Sequence, residues 1–201
     1  MIELATGART RIAGYPGLNA GGALSPDGRF SALVLSRDGN PEIYVKRLAD
    51  GALTRVTNTP RAAEASPSWS PDGTQLVYVS DVSGRPQLYI VGRDGGAPRR
   101  LTLRGSENVA PDWGPGGKIA HATRVGSAFQ LSITDPATGE TVPLALDAAD
   151  WEDPSWARNG RHLAAIRRDA RGSAVYLVDS MGDAPLPLLT EGDWFSPAWS
   201  P

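Results

Sequence analysis

The chain has no cysteine in its 201 residues. That removes disulfides, thiolate zinc sites and cysteine nucleophiles. It does not decide the compartment, because many exported proteins also lack the residue. No helical periodicity of useful length is present, and no apolar run approaches the roughly 18 residues that a membrane helix needs. Met1-Ile2-Glu3-Leu4 carries neither the basic start nor the apolar stretch of a signal peptide, so none is expected on these residues. No run of like charge exceeds a dipeptide such as Arg99-Arg100 or Arg167-Arg168. The formal net charge of −2 argues against a nucleic-acid or anionic-membrane surface.

What is present is turn chemistry. Gly 23 and Pro 17 are high, while 40% apolar and 21% charged residues are those of a globular chain. The stretch Pro67–Thr102 shows the pattern best. Pro67–Trp69 leads into the turn Ser70-Pro71-Asp72-Gly73, and Gln75–Ser80 is a mostly apolar strand. Asp81–Arg85 reads as a hairpin loop, Gln87–Val91 as a third strand, Asp94-Gly95-Gly96 as a turn and Arg99–Thr102 as a fourth strand. Pro presets the first turn dihedral, Asp bonds nearby backbone and Gly accepts positive φ.

This unit recurs. Trp69, Trp113, Trp156 and Trp199 are spaced 44, 43 and 43 residues apart, and Ser25 precedes Ser70 by 45. Four strands on that period predict an all-β chain, a β-propeller of four-stranded antiparallel blades in a single domain over 1–201. Whole blades are expected at about 23–57, 67–102, 111–144 and 153–190. Partial-blade strands are expected in 1–12 (Ile2–Ala5 and Arg9–Ile12) and 194–201. The missing second strand keeps the two ends from pairing, so an open arc of four blades with exposed edges is expected. Strands such as Leu76-Val77-Tyr78-Val79 are apolar on both faces, which suits blades packed between neighbours.

Catalytic signatures are scarce. Gly-x-Ser-x-Gly is absent, and His121 and His162 read as packed or edge residues. Gly17–Gly22 lacks the Lys-Ser/Thr of a phosphate loop, and Ser-Pro-Asp-Gly gives too few carboxylates for calcium. No catalytic residue, metal ligand or cofactor is expected. One constellation remains. The connections Gly14–Gly22, Asn58–Ser66, Leu103–Ala110, Ala145–Glu152 and Glu191–Ser196 face one rim and carry Asn19, Glu64, Glu107, Asn108, Glu152, Asp153 and Asp193. Loops on a rigid scaffold are where binding is expected.

Several runs go beyond a generic propeller. They include Ala5-Thr6-Gly7-Ala8-Arg9, Gly84-Arg85-Pro86-Gln87, Asp94-Gly95-Gly96-Ala97-Pro98, Gly105-Ser106-Glu107-Asn108 and Pro197-Ala198-Trp199-Ser200-Pro201. In order and spacing the chain resembles the TolB family of the bacterial Tol–Pal system. The resemblance implies a six-bladed propeller preceded by a small α/β domain and a signal peptide. It implies a periplasmic, non-enzymatic protein that binds the peptidoglycan-associated lipoprotein Pal through rim loops. Other Tol proteins are implied partners, some colicins exploit the family, and contact with the outer membrane is peripheral, through Pal. The implied role is outer-membrane integrity and cell division. Leu18 stands where a polar, often histidine, residue is expected, and Glu64 and Ala65 lie where further contacts are expected. Two enzyme readings stay open. One is the propeller of a prolyl-oligopeptidase-type serine peptidase, whose chain would continue past Pro201 into an α/β-hydrolase. The other is a sugar- or lactone-handling propeller enzyme.

Overall fold

A computed structural model describes residues 5–199. They form four antiparallel sheets of four strands each, and no helix is found among them. The first sheet holds β1 (Asn19–Leu24), β2 (Phe30–Leu35), β3 (Glu42–Arg47) and β4 (Leu53–Arg55). The second holds β5 (Glu64–Trp69), β6 (Gln75–Ser80), β7 (Gln87–Gly92) and β8 (Gly95–Arg100). The third holds β9 (Asn108–Trp113), β10 (Ile119–Val125), β11 (Ala128–Thr134) and β12 (Thr141–Pro143). The fourth holds β13 (Asp150–Trp156), β14 (His162–Asp169), β15 (Gly172–Asp179) and β16 (Leu186–Leu189). Strands within each sheet pair in sequence order, as in propeller blades.

The two-sided apolar strands explain why the blades stack. Side chains alternate between faces along a strand. On β6, Leu76 and Tyr78 pack toward blade one, against Ala32, Val34, Ile43 and Val45. Their neighbours Val77 and Val79 pack toward blade three, with Leu88, Ile90 and Ile119. A third cluster joins Ala120 and Leu131 of blade three to Trp151, Trp156 and Leu163 of blade four. Each such side chain contributes roughly 1.5–3 kcal/mol when buried. Among the described residues no apolar cluster joins blade one to blade four.

Polar latches reinforce the stacking. Trp69 Nε1 donates to Ala23 O of the preceding blade at 2.9 Å, and Trp199 Nε1 to Ser155 O at 2.9 Å. Ser68 Oγ accepts from Trp113 N at 3.0 Å, and Asp112 Oδ2 from Trp156 N at 2.7 Å. Burial pushes the Asp112 carboxyl above its ordinary range.

Several expectations need correction. The inner strands begin earlier than the turn signals suggest, at Asn19, Glu64, Asn108 and Asp150. A left-handed residue sits in each at repeat spacing: Gly21, Ser66, Ala110 and Asp153, with φ of 53°, 49°, 49° and 48°. It produces a bulge in each pairing with the second strand. Three of these residues are not glycine, a strain of order 1–3 kcal/mol each that the flanking strand bonds must hold. The turn after β7 is Arg93-Asp94, and Gly95 already pairs with Gly92, so β8 starts before Arg99.

Arg9–Ile12 is not a strand. Only Arg9 makes a bridge, and Ile12, Ala13 and Tyr15 cross the outer face of blade one against Leu33, Leu35 and Tyr44. Residues 1–4, with most of the Ile2–Ala5 strand, lie outside the described residues. Trp194–Trp199 is also not a strand, because no second strand pairs with it. It nevertheless follows the inner-strand path: Ser196 has φ of 47°, and its N and Oγ both donate to Asp153 Oδ2 at 3.2 Å.

The drifted turn Gly114-Pro115-Gly116-Gly117 has a packing reason. A Cβ on Gly114 would stand 2.6 Å from the Trp156 ring, whereas one on Gly116 would meet nothing. Gly114→Ala is expected to lower stability by about 1–3 kcal/mol in chemical denaturation, while Gly116→Ala stays within about 0.5 kcal/mol. Equal effects from the two variants would contradict this packing.

Candidate partner-binding rim

Antiparallel order places the loop between second and third strands on the same rim as the connection into the next blade. Hydrogen bonds between these two loop sets bear this out. Asn40 Nδ2 donates to Thr59 O at 2.8 Å and Ala63 N to Asp81 Oδ1 at 2.8 Å, and near the start of β11 Gln130 Nε2 donates to Ala149 O at 2.8 Å. The Ser-Pro-Asp-Gly turns lie at the other rim. There Ser25 Oγ donates to Asp27 Oδ1 at 2.6 Å and Arg29 N to the same oxygen at 3.0 Å. Asp72 repeats this with Ser70 and Thr74. The hydroxyl bond leads in holding both carboxyls below the usual range. These aspartates are turn formers.

On this candidate rim each seam between blades holds a polar clasp. In the first, Glu42 Oε1 accepts from Thr59 N at 2.6 Å, Arg55 Nη2 at 2.9 Å and Asn40 Nδ2 at 3.1 Å. Thr57 Oγ1 accepts from Ile43 N at 2.8 Å. Across the seam Ser80 Oγ donates to Glu64 Oε1 at 3.1 Å. Glu42 and Glu64 are 0% and 1% exposed, and Oε2 of each has no protein partner. Burial pushes the Glu64 carboxyl up to about 7, aided by the Glu42 and Asp81 charges and opposed by hydrogen bonds from Thr59 and Ser80.

The second seam replaces the acids by amides. Gln87 Oε1 accepts from Thr102 Oγ1 at 2.8 Å and from Asn108 Nδ2 at 2.9 Å. Thr102 Oγ1 accepts from Leu88 N at 2.9 Å, as Thr57 does in blade one. Asn108 Nδ2 also reaches Arg104 O at 2.8 Å, and Asn108 Oδ1 accepts from Thr123 Oγ1 at 2.9 Å. His121 lies behind this network, its Nε2 2.8 Å from Thr134 Oγ1. Burial lowers its pKa to about 4, so it is neutral and packed. In the third seam Asp147 accepts from Trp151 Nε1 at 2.8 Å and from Arg167 Nη2 at 2.7 Å.

The rim residues expected from sequence divide accordingly. Leu18 is exposed, with its N donating to Ser36 Oγ at 2.8 Å. Asn19 is exposed but opens β1, and its side chain is tied to the Tyr15 and Gly17 backbone. Ala65 is exposed on β5, not in a loop. Glu107 is half-buried and pairs with Arg124 Nε at 3.0 Å. Glu152 lies within β13, with its carboxylate 3.6 Å from Arg168. Asp193 is exposed in the segment after β16. Glu64 and Asn108 are the exceptions to a loop reading: each opens an inner strand, faces the seam and is buried. Their side chains are held inside the seam by hydrogen bonds. The eight residues are spread over successive seams and do not form one cluster. Sequence reasoning missed Asn40, Glu42, Arg55 and Gln87. The signal was in the repeat, since Glu42 and Gln87, Thr57 and Thr102, and Arg55 and Arg100 are each 45 residues apart. Among the described residues no group of three His, Asp or Glu is placed to hold a metal ion.

Four stacked antiparallel blades with hydrogen-bonded connections between them define a β-propeller. Comparison with known proteins gives the family. The model of the TolB β-propeller domain matches residues 1–201, and the chain belongs to that family. It is 34% identical to the Tol–Pal system protein TolB of Gluconobacter oxydans, over 100% of this chain and 46% of that protein. The TolB structure from Acinetobacter baumannii superposes with a TM-score of 0.86 at 32% identity, covering 98% of this chain and 50% of that one. The chain thus spans about half the length of these relatives. A puromycin-hydrolysing peptidase of Mycobacterium tuberculosis shares the fold alone, at 24% identity and a TM-score of 0.73, covering 93% of this chain and 31% of that one.

The raised Glu64 pKa has a definite sign. Its ordinary value is 4.5 and its folded value about 7, so the folded state binds the extra proton in between. The stability this gives is complete below about pH 4.5 and is lost as pH rises through about 7. Glu64→Gln, neutral throughout, is expected to gain melting temperature relative to the unchanged protein between pH 5 and pH 8. A difference that does not vary with pH would refute the assignment.

Proposed function

We propose that this propeller is the rim-binding part of a non-enzymatic periplasmic adaptor of the Tol–Pal system. In this reading its rim holds the lipoprotein Pal, other Tol proteins are further partners, and the assembly supports outer-membrane integrity and division. The observation that carries the reading is identity above 30% to Tol–Pal system proteins over the whole chain. The rim geometry supports it. The connections 58–63 and 103–107 are fixed by buried clasps, so the exposed residues there are presented with little ordering left to lose. Leu18, Ala65, Glu107 and Asp193 supply the accessible surface. The peptidase reading has only the shared fold in its favour.

The test uses the full-length protein containing this segment and purified Pal, measured by titration calorimetry. Ala65→Lys places a long cation on the exposed rim and is expected to weaken binding at least about tenfold, or about 1.4 kcal/mol. Asp94→Lys, in the β7–β8 turn of the opposite rim, is expected to leave binding unchanged. Full affinity in the Ala65 variant, or a loss in the Asp94 variant, would move the site away from this rim.

A further inference from the structure

Blades one and two carry the same clasp with one exchange. In blade one Arg55 Nε donates to Thr57 O at 2.9 Å, and its Nη2 donates to Glu42 Oε1 at 2.9 Å. In blade two Arg100 Nε donates to Thr102 O at 2.8 Å, which is the same backbone anchor. Position 87, however, is Gln, and its Oε1 already accepts from Thr102 and Asn108. Arg100 therefore keeps the place of Arg55 without its carboxylate. Among the described residues no acid lies within ion-pair distance of it.

The surroundings are suited to an incoming anion. Arg100 is exposed and lines an open rim groove of about 650 Å3 with Arg85, Gln87, Ser106 and two glycines, Gly84 and Gly105. Arg85 reaches only Glu107, at 3.6 Å, and that carboxylate is already held by Arg124 at 3.0 Å. A Cβ on Gly84 would meet nothing within 4 Å, so the backbone there is open to close approach. The seam thus holds positive charge in excess on a chain whose net charge is −2.

We propose that the Arg100 guanidinium, with Arg85 beside it, is a carboxylate-binding subsite of the rim that takes an Asp or Glu side chain of the protein partner. Within this molecule Arg55 Nη2 holds Glu42 Oε1 by one charged hydrogen bond while its Nε stays on the Thr57 backbone; Arg100 Nε is held by Thr102 O in the same way, so its Nη groups are the ones left for an incoming carboxylate. The two Nη groups of a guanidinium can bind a carboxylate through paired hydrogen bonds, which fixes orientation as well as charge. The inference rests on the rim-binding reading above and names the chemistry the partner must offer at this seam.

The experiment measures Pal affinity of the full-length protein by calorimetry at several salt concentrations. Arg100→Gln is expected to lower affinity about tenfold and to flatten its salt dependence, since a charge pair between the partners is lost. Arg100→Lys keeps the charge without the fork and is expected to recover the salt dependence in part. Gln87→Glu supplies the internal carboxylate of blade one, so it should neutralise Arg100 in place and also weaken binding. Melting temperatures of all three variants separate these effects from misfolding. Arg100→Gln binding within twofold of the unchanged protein overturns the subsite, as does a loss confined to Gln87→Glu. Loss of binding to phosphatidylglycerol vesicles with Pal affinity intact would mean a lipid phosphate occupies the groove, and also overturns it. If Ala65→Lys fails to weaken binding as well, the rim reading itself falls. If Ala65→Lys weakens binding and Arg100→Gln does not, only the subsite falls.

Discussion

No blade of this protein can bury both faces of its own central strands, and the rest of the structure depends on that constraint. Leu76 and Tyr78 need blade one, and Val77 and Val79 need blade three. Stability is therefore carried by nearest-neighbour contacts, as in other repeat architectures. The repeated tryptophans Trp69, Trp113, Trp156 and Trp199 sit at contacts between successive repeats. Trp69 and Trp199 donate their indole N–H groups to the preceding blade, while Trp113 and Trp156 are held there through their backbone N–H. Where the Trp156 ring packs against the third turn, that turn has given up its side chain, so Gly114 stands where the first two blades have Ser25 and Ser70.

The same seams organise the rim. A buried polar group must find a partner, so each clasp ties a loop of one blade to the entry strand of the next. The clasps are not chemically identical. The first sets two buried carboxyls against each other, the second pairs two amides, and the third uses an Asp–Arg–Trp group. One scaffold thus carries seams that respond differently to pH and present different charge to solvent.

Much of the architecture was legible because strand periodicity and turn chemistry are local. Gln75–Ser80 is β6 as read, and Ser-Pro-Asp-Gly makes the turn its residues favour. The inner strands were misread at their starts. Asn19–Leu24 and Glu64–Trp69 lack apolar alternation, and a left-handed residue breaks their register, so they resemble loops in sequence. Glu64 and Asn108 were read as exposed for a related reason. A charged or amide residue beside a turn normally faces water, and only the next blade, distant in sequence, provides partners that allow burial. The end segments lost their strand character because a strand needs a pairing neighbour.

The central claim is that binding occurs on the clasped rim and leaves the Ser-Pro-Asp-Gly rim free. Hydrogen–deuterium exchange on the full-length protein, with and without saturating Pal, addresses both rims at once. The account predicts slowed exchange in the connections 56–63 and 101–107, with the turns at 25–28 and 70–73 unchanged. Protection of those turns, with the connections unaffected, would contradict it.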